Sequence, residues 1–401
     1  MPPGAEVSEV HWSVLGRDDQ GAPRLCPSAQ MSGRRGNMEK KIRLGLIGAS
    51  AKGTWSSRSH LPALQSSRDV ELTAVCTTKA DSAEAARQAY GARLAFDDYR
   101  KMVASPEIDA VAVVVRVPLH YAPTKAALEA GKHVYCEWPL GRTTTEAEEL
   151  STLAASKGLV TAVGLQARVD PTLLYMKELV DSGCIGEVLA VHVSLMREGV
   201  LSRPSNRTWQ RDVELGANTL TIPNGHTLDA MRFVVGDLSQ LSAVVTTQVK
   251  QWLDTDARTL VNVTSPDNVL VQGQLKNGAM ASLHVAAVPF AGSGYRMEIY
   301  GREGTLVVSG EESPQFCRLS LHGARGENKL APLPAPERLA APADDPSLVE
   351  ALNVGRLYTS FAQTIRGGEA SHPTFDTAVA LHRVIDTIAQ ASASGCAISL
   401  P

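Results

Sequence analysis

The sequence predicts an α/β protein of two domains: a doubly wound parallel sheet, then a C-terminal α/β domain with a large open, mostly antiparallel sheet. Three observations lead to this prediction. The chain has 401 residues, more than one ordinary core accommodates. Strand and helix patterns alternate up to about residue 165. After about residue 186, strand-like segments separated by turn residues take over.

The first part of the chain alternates buried strands with amphipathic helices. Strands are predicted at 42–48, 70–77, 109–115, 133–136 and 160–165, with helices ending near Leu64 and at 82–90, 121–130 and 145–157. The strand at 109–115 has no polar face, as expected where helices cover both sides of a parallel sheet. We therefore expect a doubly wound domain over residues 38–165.

The second part of the sequence has the pattern typical of an open antiparallel sheet. Strand-like segments lie at 188–196, 241–249, 268–275, 279–286, 296–300 and 305–309. Turn residues such as Lys276-Asn-Gly278 separate several of them. A Pro/Ala-rich surface loop is expected at 331–346, and helices at 227–235, 348–366 and 375–393. Residues 166–401 are thus predicted to form a substrate-binding and oligomerisation domain.

Composition excludes several classes of protein. With 39 Lys and Arg against 42 Asp and Glu, the net charge is −3, which does not fit a basic nucleic-acid binder. The apolar runs are too short for a membrane span, so we expect a soluble protein that contacts no membrane. The scattered cysteines predict free thiols in the cytoplasm and no metal site. Residues 1–37 lack apolar periodicity and are expected to form a flexible leader.

The turn after the first predicted strand, Gly48-Ala-Ser-Ala-Lys-Gly53, resembles a dinucleotide fingerprint. Gly48 and Gly53 supply the tight turn and the helix–strand packing, while Ser50 stands where a middle glycine is usual. We predict that Gly48, Ser50, Ala51, Lys52 and Gly53 bind the pyrophosphate at a helix N-terminus. An ordinary strand–helix turn is the alternative. The position on the first strand of an alternating domain favours the dinucleotide-binding, or Rossmann, interpretation.

The end of the second strand bears on the choice of dinucleotide. An acidic residue there would bind the ribose 2′-hydroxyl and repel a 2′-phosphate. The sequence instead has Thr77, Thr78 and Lys79, with no acid until Asp81. These residues favour NADP, with NAD possible, although Lys79 could equally be a solvated surface charge.

Several motifs together resemble the Gfo/Idh/MocA oxidoreductases over residues 41–401. They are, in chain order, the turn at 48–53, the run Ala127–His133, Cys136-Glu-Trp-Pro-Leu140, Gln166-Ala-Arg168, the run Lys177–Gly186, and Gly225-His-Thr-Leu-Asp229. The resemblance implies a Rossmann domain and a second domain whose open sheet faces the nicotinamide. Glu137 and Gln166 would then lie beside the cofactor, and His226 would be the acid/base residue.

Two departures from the family pattern affect the expected chemistry. The family usually has lysine between Glu137 and Pro139, where this chain has Trp138, and aspartate four residues before His226, where this chain has Ile222. Two further segments, Val115–Tyr121 and Leu381–Ile385, resemble a branch that contains a fungal NADP-binding, non-enzymatic repressor of galactose genes. Some relatives with an aromatic residue at the lysine position are still enzymes.

The resemblance extends the candidate site beyond the phosphate turn. Cofactor contacts are predicted for Val115, Arg116, Val117, His120, Glu137, Trp138, Gln166 and Arg168. Substrate contacts are predicted for Trp138, Trp209, Asn224, Arg168 and Tyr121. Each has a structural alternative: core packing for the tryptophans, a salt bridge for Arg168, a surface carboxylate for Glu137, and a structural hydrogen bond for His226.

Two functions are compatible with this sequence. The favoured one is an NADP-dependent oxidoreductase that transfers a hydride between nicotinamide and a sugar, cyclic polyol or related carbonyl, with His226 as catalytic residue. The alternative is an inactive NADP-binding sensor that acts through a protein partner. We also expect a homodimer or homotetramer, because the strand Ala279–Val285 alternates apolar with small or polar residues on an open sheet.

Overall fold

The computed structural model describes residues 40–50, 54–339 and 349–401. The predicted leader at residues 1–37 and the turn residues Ala51, Lys52 and Gly53 lie outside the described residues. Residues Lys40 to Pro401 form one compact unit.

A six-stranded parallel sheet forms the first part of this unit. Its strands are β1 (Ile42–Ile47), β2 (Val70–Cys76), β3 (Leu94–Phe96), β4 (Ala110–Val113), β5 (His133–Glu137) and β6 (Thr161–Gly164). Their order, β3-β2-β1-β4-β5-β6, is that of a dinucleotide-binding domain. The order reverses between β1 and β4, so a crevice opens at the carboxyl ends of these two strands. The predicted doubly wound sheet is confirmed.

Helices cover both faces of this sheet. They are α1 (Leu61–Gln65), α2 (Ala80–Tyr90), α3 (Tyr99–Val103), α4 (Tyr121–Glu129) and α5 (Thr144–Ser156). A π-helical turn, Ser56–His60, precedes α1. The Thr143 side chain caps α5 by accepting a hydrogen bond from the Glu146 amide. The sequence patterns missed β3 and α3, because segments of three and five residues show too little periodicity.

A nine-stranded mixed sheet forms most of the second part. Its strands are β7 (Val188–Glu198), β9 (Leu238–Thr246), β12 (Asn268–Leu275), β13 (Met280–Val288), β14 (Gly294–Gly301), β15 (Gly304–Gly310), β16 (Ser320–Arg325), β17 (Ala331–Pro332) and β18 (Ile398–Ser399). Their order is β17-β16-β15-β14-β7-β13-β12-β9-β18. Only β7 and β13 run parallel among these described strands. The open, mostly antiparallel sheet is therefore confirmed.

A small second sheet joins β8 (Ser202–Arg203), β10 (Gln251–Asp254) and β11 (Thr259–Asn262) in the order β11-β10-β8. The sequence patterns missed all three of these strands. The start of the expected loop at 331–346 also differs, because Ala331–Pro332 pairs with β16 as an edge strand. Proline fits an edge, where its missing amide donor is not needed.

Four helices connect the two parts: α6 (Pro171–Asp181), α7 (Pro223–Val235), α8 (Val349–Ile365) and α9 (Phe375–Ser394). Although α8 follows the second sheet in sequence, Val354, Leu357 and Phe361 pack in the core of the first sheet. The sequence placed the start of α7 at Thr227, but the helix begins at Pro223, where the fixed φ of proline favours a first helical position. His226 consequently lies in the first turn of α7.

Candidate functional site

Glu137, the last residue of β5, lies in a buried hydrogen-bond network. Its Oε1 is 2.9 Å from Nε2 of His60 and accepts from the Tyr135 hydroxyl at 3.1 Å. Gln166 Nε2 donates to both carboxylate oxygens at 3.1 Å. Nδ1 of His60 lies 2.7 Å from the hydroxyl of Tyr358. An ionised carboxylate only accepts, so we assign the His60 proton to Nε2 and let Nδ1 accept from Tyr358.

The surroundings of Glu137 favour its ionised form. Burial raises its pKa, but the hydrogen bond from His60, the electrostatic attraction of the His60 and His226 imidazoles and the Gln166 hydrogen bond outweigh burial, so the net pKa is below the ordinary value. Gly164 on the adjacent strand leaves room for this carboxylate, because a Cβ there would lie 2.6 Å from Oε1. Glu137 is therefore a buried, positioned anion rather than a surface carboxylate.

Trp138 is anchored between the two parts of the chain. Its Nε1 donates to the carbonyl oxygen of Thr221 at 2.8 Å, and its side chain is buried. A Cβ on Gly225 would lie 2.5 Å from Nε1, so the indole rests directly on the first turn of α7. The ring centroid of His382 on α9 lies 4.7 Å from that of Trp138. The indole thus packs closely against α7 at the position where the family usually has lysine.

His226 lies in the first turn of α7 and is 5% exposed. Its Nδ1 is buried without a hydrogen-bond partner in the described part of the chain. Burial lowers the pKa of His226 to about 4, although the charges of Glu137 and Asp229 raise it; Arg197 lowers it further. This value lies well below the ordinary pKa of histidine, about 6.5. At neutral pH the imidazole is uncharged and can accept a proton.

Two other residues of the predicted site, Asn224 and Arg168, form bonds within the protein close to His226 in the fold. The Asn224 side chain is fully buried and donates from Nδ2 to the Leu220 carbonyl at 3.0 Å. Arg168 makes a forked ion pair with Asp229 of α7, with Nε and Nη2 at 2.9 and 2.7 Å from the carboxylate oxygens. The salt bridge that was the structural alternative for Arg168 is therefore present.

The described part of the phosphate turn fits a dinucleotide. Gly48 has φ +93°, and a Cβ there would lie 2.0 Å from the Val114 carbonyl oxygen, so only glycine fits. The amides of Gly48 and Ala49 both donate to the Cys76 carbonyl, at 2.9 and 3.3 Å, which draws the turn towards the end of β2. Ser50 follows at the crevice between β1 and β4, where this class of sheet binds its cofactor.

The residues after β2 are only partly available to a ligand. Thr77 Oγ1 donates to the Lys79 carbonyl at 3.0 Å and lies 2.6 Å from the Ser82 hydroxyl. Thr78 and Lys79 are exposed, and Lys79 is the residue before α2. No acid follows Cys76 directly in the sequence, although Asp97 and Asp98 after β3 are close enough for their charges to act on the Cys76 thiol.

The segment after β4 contributes both buried and exposed residues. Val117 and His120 are buried, and the His120 nitrogens lie 2.6 Å from the Pro139 carbonyl and 3.0 Å from that of Val115. Burial lowers the pKa of His120 despite these hydrogen bonds. His120 thus joins the ends of β4 and β5 at the crevice.

Arg116 and Trp209 are brought together across the two parts of the chain. The exposed Arg116 guanidinium lies 5.4 Å from the ring centroid of Trp209 and donates to the Asn206 carbonyl at 3.0 Å. Tyr121, in contrast, is turned away towards α5, where its hydroxyl donates to Glu149. Lys125 also donates to this hydroxyl, at 3.0 Å.

A cavity of about 330 Å³ lies next to the start of α7. Ile222 and Pro223 form part of its wall, and so do Arg197, Arg203 and Arg207. His226 and the predicted substrate residues are not among the described residues that line it, although Gln210 and Pro223, neighbours of Trp209 and Asn224, are. The sequence analysis missed these arginines. Their clustering within residues 197–207 was the signal that could have revealed a positively charged site.

His60 and Gly164 gave no signal in the sequence, and Asp229 appeared only as the last residue of the motif Gly225–Asp229. His60, Asp229 and Gly164 act through contacts with Glu137 and Arg168 that lie 27 to 77 residues apart in the chain. Within the described ranges, no three His, Cys, Asp or Glu side chains are grouped to hold a metal ion. None of the helices in those ranges is long and apolar enough to cross a membrane.

Two known families match this chain, and the boundary between their matches coincides with the boundary between the two parts of the fold. Residues 42–165 match the GFO_IDH_MocA family, described as an oxidoreductase family with an NAD-binding Rossmann fold. Residues 171–310 match the Gal80p C-terminal domain family. The two matched segments together contain Glu137, Trp138 and His226.

Curated relatives include both dehydrogenases and regulators. The dehydrogenase aclE of Aspergillus oryzae is 34% identical over 212 residues, 51% of this chain and 58% of that protein. The galactose/lactose metabolism regulatory protein GAL80 of Kluyveromyces lactis is 26% identical over 301 residues, 68% of this chain and 64% of that protein. The matched segment thus spans roughly three-fifths of the length of each relative.

Solved structures share the fold over most of the chain. A super-repressor mutant of Gal80p from Saccharomyces cerevisiae has a TM-score of 0.80 at 23% identity, covering 90% of this chain and 98% of that one. Levoglucosan dehydrogenase in complex with NADH and levoglucosan has a TM-score of 0.78 at 20% identity, covering 90% and 100%. The two family matches thus lie in order along one fold: residues 42–165 match the Gfo/Idh/MocA family, and residues 171–310 match the Gal80p C-terminal domain family.

Proposed function

We propose that this protein is an NADP-dependent oxidoreductase that transfers a hydride between nicotinamide and a sugar, cyclic polyol or related carbonyl. The observation that carries the proposal is the juxtaposition of β5 and α7. Trp138, directly after Glu137, rests on the turn of α7 that contains His226. An acid/base candidate therefore stands beside the carboxyl ends of the strands, where such sheets bind their cofactor.

His226 would accept the proton that leaves the hydroxyl group of the substrate. The nicotinamide, when bound, supplies the hydride acceptor or donor. Because burial lowers the pKa of His226 to about 4, its imidazole is uncharged at neutral pH and ready to take a proton. The charges of Glu137 and Asp229 favour the protonated imidazole that would result. This arrangement needs neither the lysine nor the aspartate that the family usually has.

The other predicted residues take supporting roles in this proposal. Glu137, held by His60 and Gln166, would fix the nicotinamide ribose. Trp138 would form an apolar wall beside the ring, while Trp209 and Arg116 would close the site from the second part of the chain. Arg168 would act indirectly by holding Asp229 at α7.

The names of the relatives support a carbohydrate-like substrate. They include a levoglucosan dehydrogenase, a D-glucoside 3-dehydrogenase and a 1,5-anhydro-D-fructose reductase. The name of each enzyme states a cyclic polyhydroxylated compound as its substrate. The preference for NADP depends on Thr78 and Lys79 and stays a prediction.

The proposal is tested by a screen of sugars and cyclic polyols with NAD and NADP, followed by His226→Ala. The variant should lower kcat by about 10²–10⁴-fold, as expected for a lost general acid–base, with unchanged dinucleotide affinity. His192→Ala is the matched control, because His192 is exposed on β7 and bonds to Ser282. A wild-type rate in His226→Ala would show that another group moves the proton.

The second candidate function is a dinucleotide-dependent regulator without redox activity. The specific observation in its favour is the match of residues 171–310 to the Gal80p C-terminal domain. Trp138 agrees with it, because the resemblance implies lysine at that position in the family's enzymes. If no substrate is turned over while NADP strengthens the binding of a protein partner, this candidate replaces the enzyme.

We further propose that the protein is a cytoplasmic homodimer or homotetramer. The five cysteines in the described residues are all free thiols, as is common in reducing compartments. The outer face of the nine-stranded sheet carries exposed Val244, Leu270 and Met280, which an identical subunit could cover.

A further inference from the structure

The cavity beside α7 concentrates positive charge. Arg197, Arg203 and Arg207 line its wall within eleven residues of sequence. Arg197 pairs with Glu312, its Nε lying 3.2 Å from Oε2. Across the described ranges 40–50, 54–339 and 349–401, neither Arg203 nor Arg207 has a carboxylate within ion-pair distance. Two guanidinium groups at this cavity therefore lack a protein counter-ion in the described chain.

The two acidic residues of the cavity wall, Glu198 and Asp267, form no ion pair with Arg203 or Arg207. Asp267 accepts hydrogen bonds from the amides of Gln248 and Val249 at 2.8 and 2.7 Å. Glu198 accepts from the Ala291 amide at 3.2 Å. Both carboxylates thus bond to the backbone of neighbouring strands and loops rather than to Arg203 or Arg207, and the cavity wall holds three cations against these two anions.

Arg203 is held in place by its neighbours, but one of its hydrogen-bond donors has no partner among the described residues. Its guanidinium stacks over Trp252 at 4.7 Å and donates to the carbonyl of Ser202 at 2.8 Å and to that of Gly199. Its Nε is buried with no hydrogen-bond partner among the described residues. Burial and the charges of Arg207 and Arg197 lower the pKa of Arg203 to about 10. A stacked, positioned guanidinium with a free donor is suited to bind an oxyanion.

The cavity also adjoins the candidate catalytic residue. Ile222 and Pro223 in its wall begin the turn of α7 that contains His226, and the His226 amide donates to the Ile222 carbonyl at 3.0 Å. Arg197 in the same wall is close enough for its charge to act on the His226 imidazole. A molecule that reaches from His226 past Ile222 would place its far end among the arginines.

We propose that this cavity is an anion subsite, in which Arg203 and Arg207 bind a carboxylate or phosphate on a substrate whose hydroxyl or carbonyl group lies at His226. The proposal rests on the proposed oxidoreductase function and narrows its substrate class to acidic sugars or polyols. Both anions offer oxygens to the planar fork of a guanidinium, and the third cation, Arg197, adds long-range attraction.

The subsite is tested first by binding, without turnover. Isothermal titration of the full chain with D-glucuronate, D-glucose 6-phosphate and D-glucose separates a carboxylate, a phosphate and a neutral compound. At least one anion should bind about tenfold or more tightly than glucose, as charge-assisted hydrogen bonds allow. Arg203→Met keeps an apolar stem on Trp252, and Arg207→Gln changes an exposed residue; each should abolish most of this difference.

The matched control is Arg302→Gln, which removes an exposed guanidinium paired with Glu187 and should leave anion binding unchanged. Thermal unfolding shows whether each variant is folded. If Arg203→Met does not fold, the anion binding of Arg207→Gln tests the subsite. The proposal is overturned if neither anion binds more tightly than glucose, or if both arginine variants bind anions as the wild type does.

A turnover experiment separates this proposal from the proposed function. Neutral sugars and their uronates are compared with both dinucleotides, and Arg207→Gln should lower kcat/KM for the acidic substrate about tenfold or more while sparing a neutral one. Turnover of neutral sugars only, unaffected by Arg207→Gln, would overturn the subsite and leave the oxidoreductase standing. Arginine-dependent anion binding without any turnover would support the subsite and contradict the oxidoreductase.

Discussion

The indole Nε1 of Trp138 donates a hydrogen bond to the carbonyl oxygen of Thr221 at 2.8 Å, which joins the end of β5 to the turn before α7. These residues are 83 positions apart and belong to different parts of the fold. The bond, together with the close contact on Gly225, makes Trp138 a structural anchor as well as a candidate wall of the cofactor site.

This anchor predicts that substitutions of Trp138 lower stability. Trp138→Phe removes the donor and leaves the Thr221 carbonyl unpaired, so the free energy of unfolding should fall by about 1–3 kcal/mol. Trp138→Ala should cost about 3–5 kcal/mol, because it also opens a cavity. Urea denaturation measures both values. Trp209→Phe, at a half-exposed position, is the control and should change stability less. Wild-type stability in Trp138→Phe would rule out the anchoring role.

Buried histidines predict a loss of stability in mild acid. Burial lowers the pKa of His226 and of His382 to about 4. Between the ordinary pKa, about 6.5, and pH 4, the unfolded chain binds protons that the folded chain does not, so stability falls as the pH falls. Each residue should remove about 2 kcal/mol between pH 7 and pH 5.

Urea denaturation at these two pH values checks this prediction. His382→Gln should show a smaller loss than the wild type, because one of the two groups no longer takes up a proton on unfolding. His192→Gln on the exposed side of β7 is the control for replacing a histidine. Equal losses in the wild type and His382→Gln would contradict the assignment.

The same low pKa predicts the pH dependence of catalysis. For oxidation of an alcohol, His226 must start unprotonated, and it stays so down to a pH near 4. The ratio kcat/KM should therefore be flat on its acidic side from pH 8 to about pH 5. A limb with a midpoint near 6.5 that disappears in His226→Asn would contradict the low pKa of His226, because kcat/KM reports the enzyme before substrate binds.

The cofactor prediction depends on the exposed end of β2. Thr78 and Lys79 offer donors where an acid would repel a 2′-phosphate, so NADP should bind more tightly than NAD. Lys79→Asp should narrow or reverse this preference in fluorescence titrations with both dinucleotides. Lys276→Asp, an equal charge change in an exposed turn of the second part, should leave it unchanged. An equal affinity for the two dinucleotides that Lys79→Asp does not alter would refute the prediction.

The open face of the nine-stranded sheet predicts self-association. Val244 on β9 and Leu270 on β12 are register partners, and both are exposed. Leu270→Glu would place a charge in an apolar contact, so it should shift a dimer or tetramer towards monomer in light-scattering measurements at micromolar concentration. Leu260→Glu, exposed on β11 of the small sheet, is the control. A wild-type protein that is monomeric under these conditions would exclude the homo-oligomer.

The sequence by itself determined the class of both sheets and the location of the phosphate turn. These features follow from short-range patterns: the apolar run of β4, the glycine at position 48 and the turn Lys276–Gly278 are all visible along a few residues. The family motifs likewise located Glu137, Trp138 and His226. The predicted start of α7 was wrong because the preference of proline for a first helical position, here Pro223, was overlooked. The strand β3 was missed because it has only three residues.

Only the tertiary structure decided how these residues act. The partner of Glu137 is His60, that of Arg168 is Asp229, and α8 returns from beyond the second sheet to pack on the first. No periodicity encodes such pairings, because they depend on how distant segments fill one core. The depressed pKa of His226 has the same origin: a histidine far from its eventual neighbours in sequence loses water only when α7 packs against the strands.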